Sequence, residues 1–302
     1  MEKTDYPALM QDADAASLAG QGWYKRVTRL DLIVIVLGSA VGATITLLPG
    51  GGKNWAASLA AFFLLTGVIA KLVARTRLDD KQWFNGRAVA ETVKSLSWQY
   101  MMREEPFKDD VDCDVRFSRH IQEARHAAAA LRSPGITSNA RPQQITDFMR
   151  KQRAMPMADR KLFYIEHRLN DQIGWYDTKA KFNQARSEQW FWVSIGAQLM
   201  AILWAILLAT EVLSQLNLVG MFGAIATAAT AWLQLGDHDE LAQSYRLAAH
   251  ELIMIRDITE QADSEESFGE AVRNGEQAIS REHKMWMANR ENPASILFVE
   301  VV

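Results

Sequence analysis

Apolar residues run almost without interruption through 32–48, 56–74, 191–209 and 218–235, and the stretches between them alternate polar and apolar positions at three-to-four spacing. Each apolar block is about long enough for a helix to cross the roughly 30 Å hydrocarbon core of a bilayer. Pro49–Asn54 joins the first two blocks and Glu211–Asn217 the last two, so each pair predicts a hairpin that crosses and returns. The expected fold class is all-α: a polytopic membrane protein with four transmembrane helices in two hairpins and long cytoplasmic helical arms. Four buried core helices of a soluble domain would also be apolar all round. Two features speak against that. No charge lies between Asp31 and Lys53, between Glu188 and Glu211 or between Glu211 and Asp237, and only Lys71 interrupts the second block, near its end. Trp23, Tyr24, Trp55, Trp190, Phe191, Trp192 and Trp232 sit near the block edges, as interfacial aromatics do.

The pattern divides the chain into two similar units. Residues 1–135 hold transmembrane helices about 31–49 and 55–74, followed by cytoplasmic helices 78–104 and 109–132. Residues 136–302 hold a cytoplasmic arm 157–189, transmembrane helices about 190–210 and 217–235, and cytoplasmic helices 237–262 and 266–292. A short helix over Gln143–Arg153 stops before Pro156, Ile136–Arg141 reads as loop, and the β-branched tail Ser295–Val302 predicts a docked or self-associating strand. From Asp159 no Gly-Pro break occurs until past residue 209, which predicts an arm continuous with the third span. A continuation of the fourth helix through Ile258 would pair with it as a stalk. The helices after each hairpin, Phe84–Tyr100 and Leu241–Arg256, both place an Arg and small residues ahead of an apolar stripe, which suggests a degenerate parallel duplication.

Charge sets the expected orientation. Lys25, Arg26 and Arg29 precede the first hairpin and Arg75, Arg77 and Lys81 follow it, while its turn holds only Lys53. Lys179, Lys181 and Arg186 precede the second hairpin, whose turn has no base at all. Loops poor in Lys and Arg face outward. Both termini and residues 75–190 are therefore expected on the cytoplasmic side of the membrane. The mean hydropathy of −0.13 averages a membrane-embedded minority with a charged majority. The single cysteine, Cys113, excludes an intramolecular disulfide framework and fits a reducing compartment. Met1–Gly20 is acidic and Ala-rich, unlike a signal peptide, so insertion is expected to rely on the first span. A net charge of −3 and the lack of a Lys/Arg run give no support for nucleic-acid binding.

Catalytic and metal chemistry find no support. Gly50-Gly-Gly-Lys53 is followed by Asn54 and flanked by membrane blocks, so it reads as an outward turn and not a phosphate loop. The histidines 120, 126, 167, 238, 250 and 283 form no H-E-x-x-H and no Cys/His ligand set, and no nucleophile elbow, kinase or dinucleotide signature occurs. No enzyme activity, metal or bound cofactor is expected.

The membrane blocks carry a different signal. Gly38 and Gly42 form a G-x-x-x-G pair, and Gly220, Gly223, Thr227 and neighbouring alanines make much of the fourth helix small. Small residues let helix backbones approach closely in lipid. For the Gly38 face, packing within the chain is the simpler reading; part of the fourth helix is expected to meet other helices or subunits. Gln198 is the costliest polar residue to leave in lipid, so it should be hydrogen-bonded to another helix or face a water path. With no intramembrane acid–base chain, proton-coupled transport is disfavoured, and an oligomeric pore of weak charge selectivity is allowed. Outside the membrane, Arg168, Gln172, Trp175 and Lys179 fall on one helical stripe at spacings of four, three and four. Such a cationic-aromatic stripe commonly packs against a partner helix. It could also stack a base and hold phosphates, which makes these four the candidate trigger contacts.

The pattern Tyr164-x-x-x-Arg168-Leu-x-Asp171-Gln172-x-x-Trp175-Tyr176-x-x-Lys179-Ala180-x-x-Asn183 ahead of a hairpin resembles the SLATT family of bacterial two-transmembrane domains, named for association with SMODS nucleotide synthases and SLOG nucleotide sensors. The first half resembles a second SLATT variety through Tyr6-Pro-Ala, Thr28-Arg-Leu-Asp31, Trp83-Phe-Asn-Gly-Arg87 and Trp98-x-Tyr-x-Met102. The resemblance covers nearly the whole chain as a tandem. It implies a homo-oligomeric effector of anti-phage defence that disrupts the inner membrane in abortive infection, triggered by a cyclic or other nucleotide second messenger or by a partner protein. The family supplies no ligand residues to carry over. The competing expectation is a non-conducting membrane adaptor that recruits a soluble defence enzyme through its coiled arms.

Overall fold

In the computed structural model, residues 1–77, 79–130, 144–212 and 216–288 are described, and every regular element among them is helical. The expected strand at Ser295–Val302 and loop at Ile136–Arg141 lie outside the described residues. The helices are α1 (Ala8–Thr44), α2 (Gly51–Arg77), α3 (Asp79–Met102), α4 (Cys113–Ala130), α5 (Asp147–Arg153), α6 (Met157–Tyr164), α7 (Asp171–Ala209), α8 (Val219–Gly236), α9 (His238–Gln261) and α10 (Glu265–Ala288). Four helices are long and apolar enough to cross a membrane: those containing α1, α2, α7 and α8. The protein is a polytopic, all-helical membrane protein.

The chain forms two compact units. The hairpin unit comprises Gly22–Leu78 and Lys181–Ala242. In its first hairpin, the turn after α1 tightens into a 3₁₀ helix, Ile45–Leu47. Gly50 then takes the left-handed φ of 46° that a side chain resists, and α2 begins. Asp31 on α1 is buried and its carboxylate lies 3.3 Å from Lys71 on α2. A Cβ on Gly67 would come within 3.0 Å of that carboxylate, so this glycine makes the notch that holds the pair. In the second hairpin, Ser194 on α7 bonds Thr230 (2.9 Å) and the Ala226 carbonyl (3.3 Å), and the Trp204 indole donates to the Leu216 carbonyl at 2.8 Å. Arg29 sits 5.1 Å over the Trp232 ring and so ties α1 to α8. Helix α8 does not run on into α9: Asp237, at φ 46°, breaks it, and His238 bonds the Asn183 side chain at 2.7 Å.

The polar unit comprises Met1–Gln21, Asp79–Ala180 and Gln243–Val302. Its centre is α3, which is buried almost all round: Val89, Val93, Trp98 and Met101 are fully covered. Helices α4, α5, α6 and α10 pack around it, and the first turns of α1 close the remaining side. That last approach depends on Gly86. A Cβ there would stand 2.8 Å from the Ala13 carbonyl and 2.9 Å from the Ser17 nitrogen, both immovable backbone. Gly86→Ala should therefore destabilise the unit by about 1–3 kcal/mol despite its better helix propensity, as an overpacked core does, and a lowered melting temperature would show it.

Polar clamps fix α10. Arg160 bonds Glu265 and the Met102 carbonyl, and Glu104 binds Arg273 at 2.6 Å in space opened by Gly269. Burial pushes the Glu104 carboxyl up, against the pull of Arg273. The fully buried Arg168 and Glu276 meet in a two-pronged pair at 2.8 and 2.6 Å, with the Tyr164 hydroxyl donating to the same carboxylate at 3.2 Å.

Candidate functional site

Two places in the molecule gather the residues that the sequence singles out. In the hairpin unit, Gly38 packs inward: a Cβ there would touch Leu64 at 3.4 Å and the Ala60 carbonyl at 3.6 Å. Its face therefore seats α1 on α2. Gly42, Gly220 and Gly223 have open space where a Cβ would stand. Gln198 and Thr227 are exposed on the surface of the second hairpin. The amide of Gln198 donates only a long bond, 3.4 Å, to Ser194 one turn away. Antiparallel pairing of Ser194 with Ala226 and Thr230, and of Trp204 with Leu216, sets Gln198 at the level of Gly223. A polar side chain and a small-residue surface thus share one height in the membrane.

In the polar unit, α3, α7 and α10 enclose a cleft of about 160 Å³. Arg87, Glu91 and Lys94 line it from α3, Gln172, Trp175 and Tyr176 from α7, and Ile279 from α10. The α3 trio stands at i, i+4 and i+7, the spacing that aligns side chains on one helical face. Trp175 is braced by edge contacts with Tyr176 at 5.2 Å and Tyr245 of α9 at 5.3 Å. Arg87 and Lys179 approach its ring to 5.9 and 5.8 Å. Lys94 extends over the Tyr6 ring at 6.0 Å, and burial pulls its ammonium below the ordinary 10.5, with Arg168 and Arg87 adding to the pull and Glu91 and Glu276 opposing it. Tyr6 accepts from the Trp98 indole at 3.1 Å, and burial pushes its own hydroxyl up to about 12.

The four trigger candidates therefore part company. Gln172 and Trp175 line the cleft and Lys179 sits over the Trp175 ring, but Arg168 is a correction to the stripe: it is 1% exposed, locked on Glu276, and not a surface contact. Arg168 falls within a π-helical segment, Ile165–Asn170, between α6 and α7, and is turned inward onto α10. The α3 trio was missed although Arg87-x-x-x-Glu91-x-x-Lys94 is visible in the chain. Nothing local indicates that its face meets residue 175, which is a long-range packing fact.

Comparison with known proteins divides the chain along its length. The family described as SMODS and SLOG-associating 2TM effector domain 3 matches residues 7–161, and the one described as SMODS and SLOG-associating 2TM effector domain 1 matches residues 164–286. No curated protein and no solved structure matches the chain. The junction of the two matches falls just before the π-helical segment, and each match contains one hairpin. With the first match spanning half of its length, the chain belongs to the SLATT family and carries two SLATT domains in tandem.

Proposed function

We propose that this protein is a homo-oligomeric effector of bacterial anti-phage defence that permeabilises or depolarises the inner membrane, in abortive infection, when its cytoplasmic helical unit receives a nucleotide signal or a partner protein. The observation that carries this reading is the exposed Gln198, level with the open Gly223 on the second hairpin. Left in hydrocarbon, an amide with unmet hydrogen bonds is costly, so a second copy or a water path is expected to cover it. Small residues at the same level of the hairpin allow that copy to approach closely. The effector wording of both matched families supports the role, and the Lys/Arg distribution supports cytoplasmic termini. A trigger opens such an assembly only if it binds the conducting arrangement better than the closed one.

A second reading, the non-conducting adaptor, draws on Leu247, Met254 and Ile258, which are exposed along α9 and could recruit a soluble protein. Ion flux separates the two. With a nucleotide extract of phage-infected cells added, the purified full chain in dye-loaded liposomes should release ions in proportion to the protein loaded. Liposomes that stay tight at every loading, while the protein still captures a soluble partner, would favour the adaptor.

A further inference from the structure

The cleft in the polar unit is assembled from both domains: Arg87, Glu91 and Lys94 fall in the 7–161 match, and Gln172, Trp175, Tyr176 and Ile279 in the 164–286 match. Neither domain alone supplies both its charged and its aromatic wall. Lys94 lies buried among charges: Arg87 and Arg168 disfavour its ammonium, and Glu91 and Glu276 favour it. Arg168 also keeps one buried guanidinium nitrogen, Nη1, without a hydrogen-bond partner among the described residues. A buried ammonium in a poorly hydrated setting is stabilised by an anion. Arginine beside lysine suits phosphate oxygens. Opposite them, the half-buried Trp175 offers flat apolar surface, and the Gln172 amide can both donate to and accept from the edge of a heterocycle. At about 160 Å³ the cleft is smaller than the roughly 300–1,000 Å³ of drug-sized pockets. It suits one phosphate and one ring, and not a whole oligonucleotide.

We propose that this shared cleft binds a phosphomonoester bearing an aromatic heterocycle, of the nucleoside monophosphate class, with the phosphate held by Arg87 and Lys94 and the ring against Trp175. The inference rests on reading the polar unit as the receiver of a trigger, and names the chemistry of that trigger and the need for both domains to hold it.

The test uses the full chain in detergent and the four nucleoside 5′-monophosphates, with inorganic phosphate and adenosine as controls, by titration calorimetry. At least one monophosphate should bind, tenfold or more tightly than phosphate or adenosine, and Arg87→Gln and Lys94→Met should each weaken it tenfold or more. Failure of all four to bind, equal binding of adenosine, or unchanged binding in both variants would overturn the proposal. Lys94→Met also separates a ligand role from a structural one. Because Lys94 carries a desolvation cost while protonated, the variant should melt higher than the parent at neutral pH. That gap should shrink as pH rises toward 10.5, since the parent then sheds the proton in the folded state first. A variant that instead melts lower and loses binding marks Lys94 as a packing residue and overturns its assignment. The effector reading fails separately: binding without any effect on liposome flux leaves the cleft assigned and removes only its role as trigger.

Discussion

Glu276→Ala should destabilise the polar unit by about 3–5 kcal/mol, the penalty of leaving a buried charge without its partner. Arg168 and Glu276 are each 1% exposed and meet at 2.6 and 2.8 Å, so the substitution strands a guanidinium that already has one donor unpaired among the described residues. For the detergent-solubilised chain this corresponds to a fall in melting temperature of roughly 10 °C. The double variant Arg168→Met with Glu276→Leu should recover most of that loss, because an apolar pair of similar volume removes both desolvation costs. If the single variant melted within a degree or two of the parent, the pair would be ornamental.

Gly223→Leu is expected to have the larger functional effect. Open space surrounds Gly223 within the chain, so a leucine there should leave the fold and its melting temperature unchanged. If that surface is where copies meet, the same leucine forces the helices apart. Association should weaken on the order of tenfold or more, in line with interhelical contacts of 1–2 kcal/mol, and liposome flux should fall with it. Gly38→Leu makes the contrast. Its Cβ would already touch Leu64 and the Ala60 carbonyl, so that variant should disturb the first hairpin itself and lower the melting temperature. A Gly223→Leu protein that assembled and conducted like the parent would place the interface elsewhere.

The residues differ in how far they could be read from the chain. The four spans and two hairpins were legible because lipid demands long uninterrupted apolar runs. The tandem was legible because aromatic and charged positions recur around each hairpin. Inward packing of Gly38 was readable from its spacing, and so was the break in regular helix after Ala209. The pairing of Lys71 with Asp31 was not, since the sequence shows two charges at the open end of a hairpin but not the notch at Gly67 that seats one. That the stripe packs on another helix was legible from its pattern, but the sealing of Arg168 on Glu276 was not, because it joins residues 108 positions apart. Gln172 and Trp175 could be chosen from their own helix, whereas Arg87, Glu91 and Lys94 become part of the same cleft only through packing between the two domains.

Exposed Gln198, level with an open small-residue stretch, supports assembly, and the mass of the detergent-solubilised full chain tests this most directly. Native mass measurement should find a closed multiple of the 34.0 kDa chain, reduced toward a single copy by Gly223→Leu. A single 34.0 kDa species for the parent, at every concentration and in several mild detergents, would contradict the account.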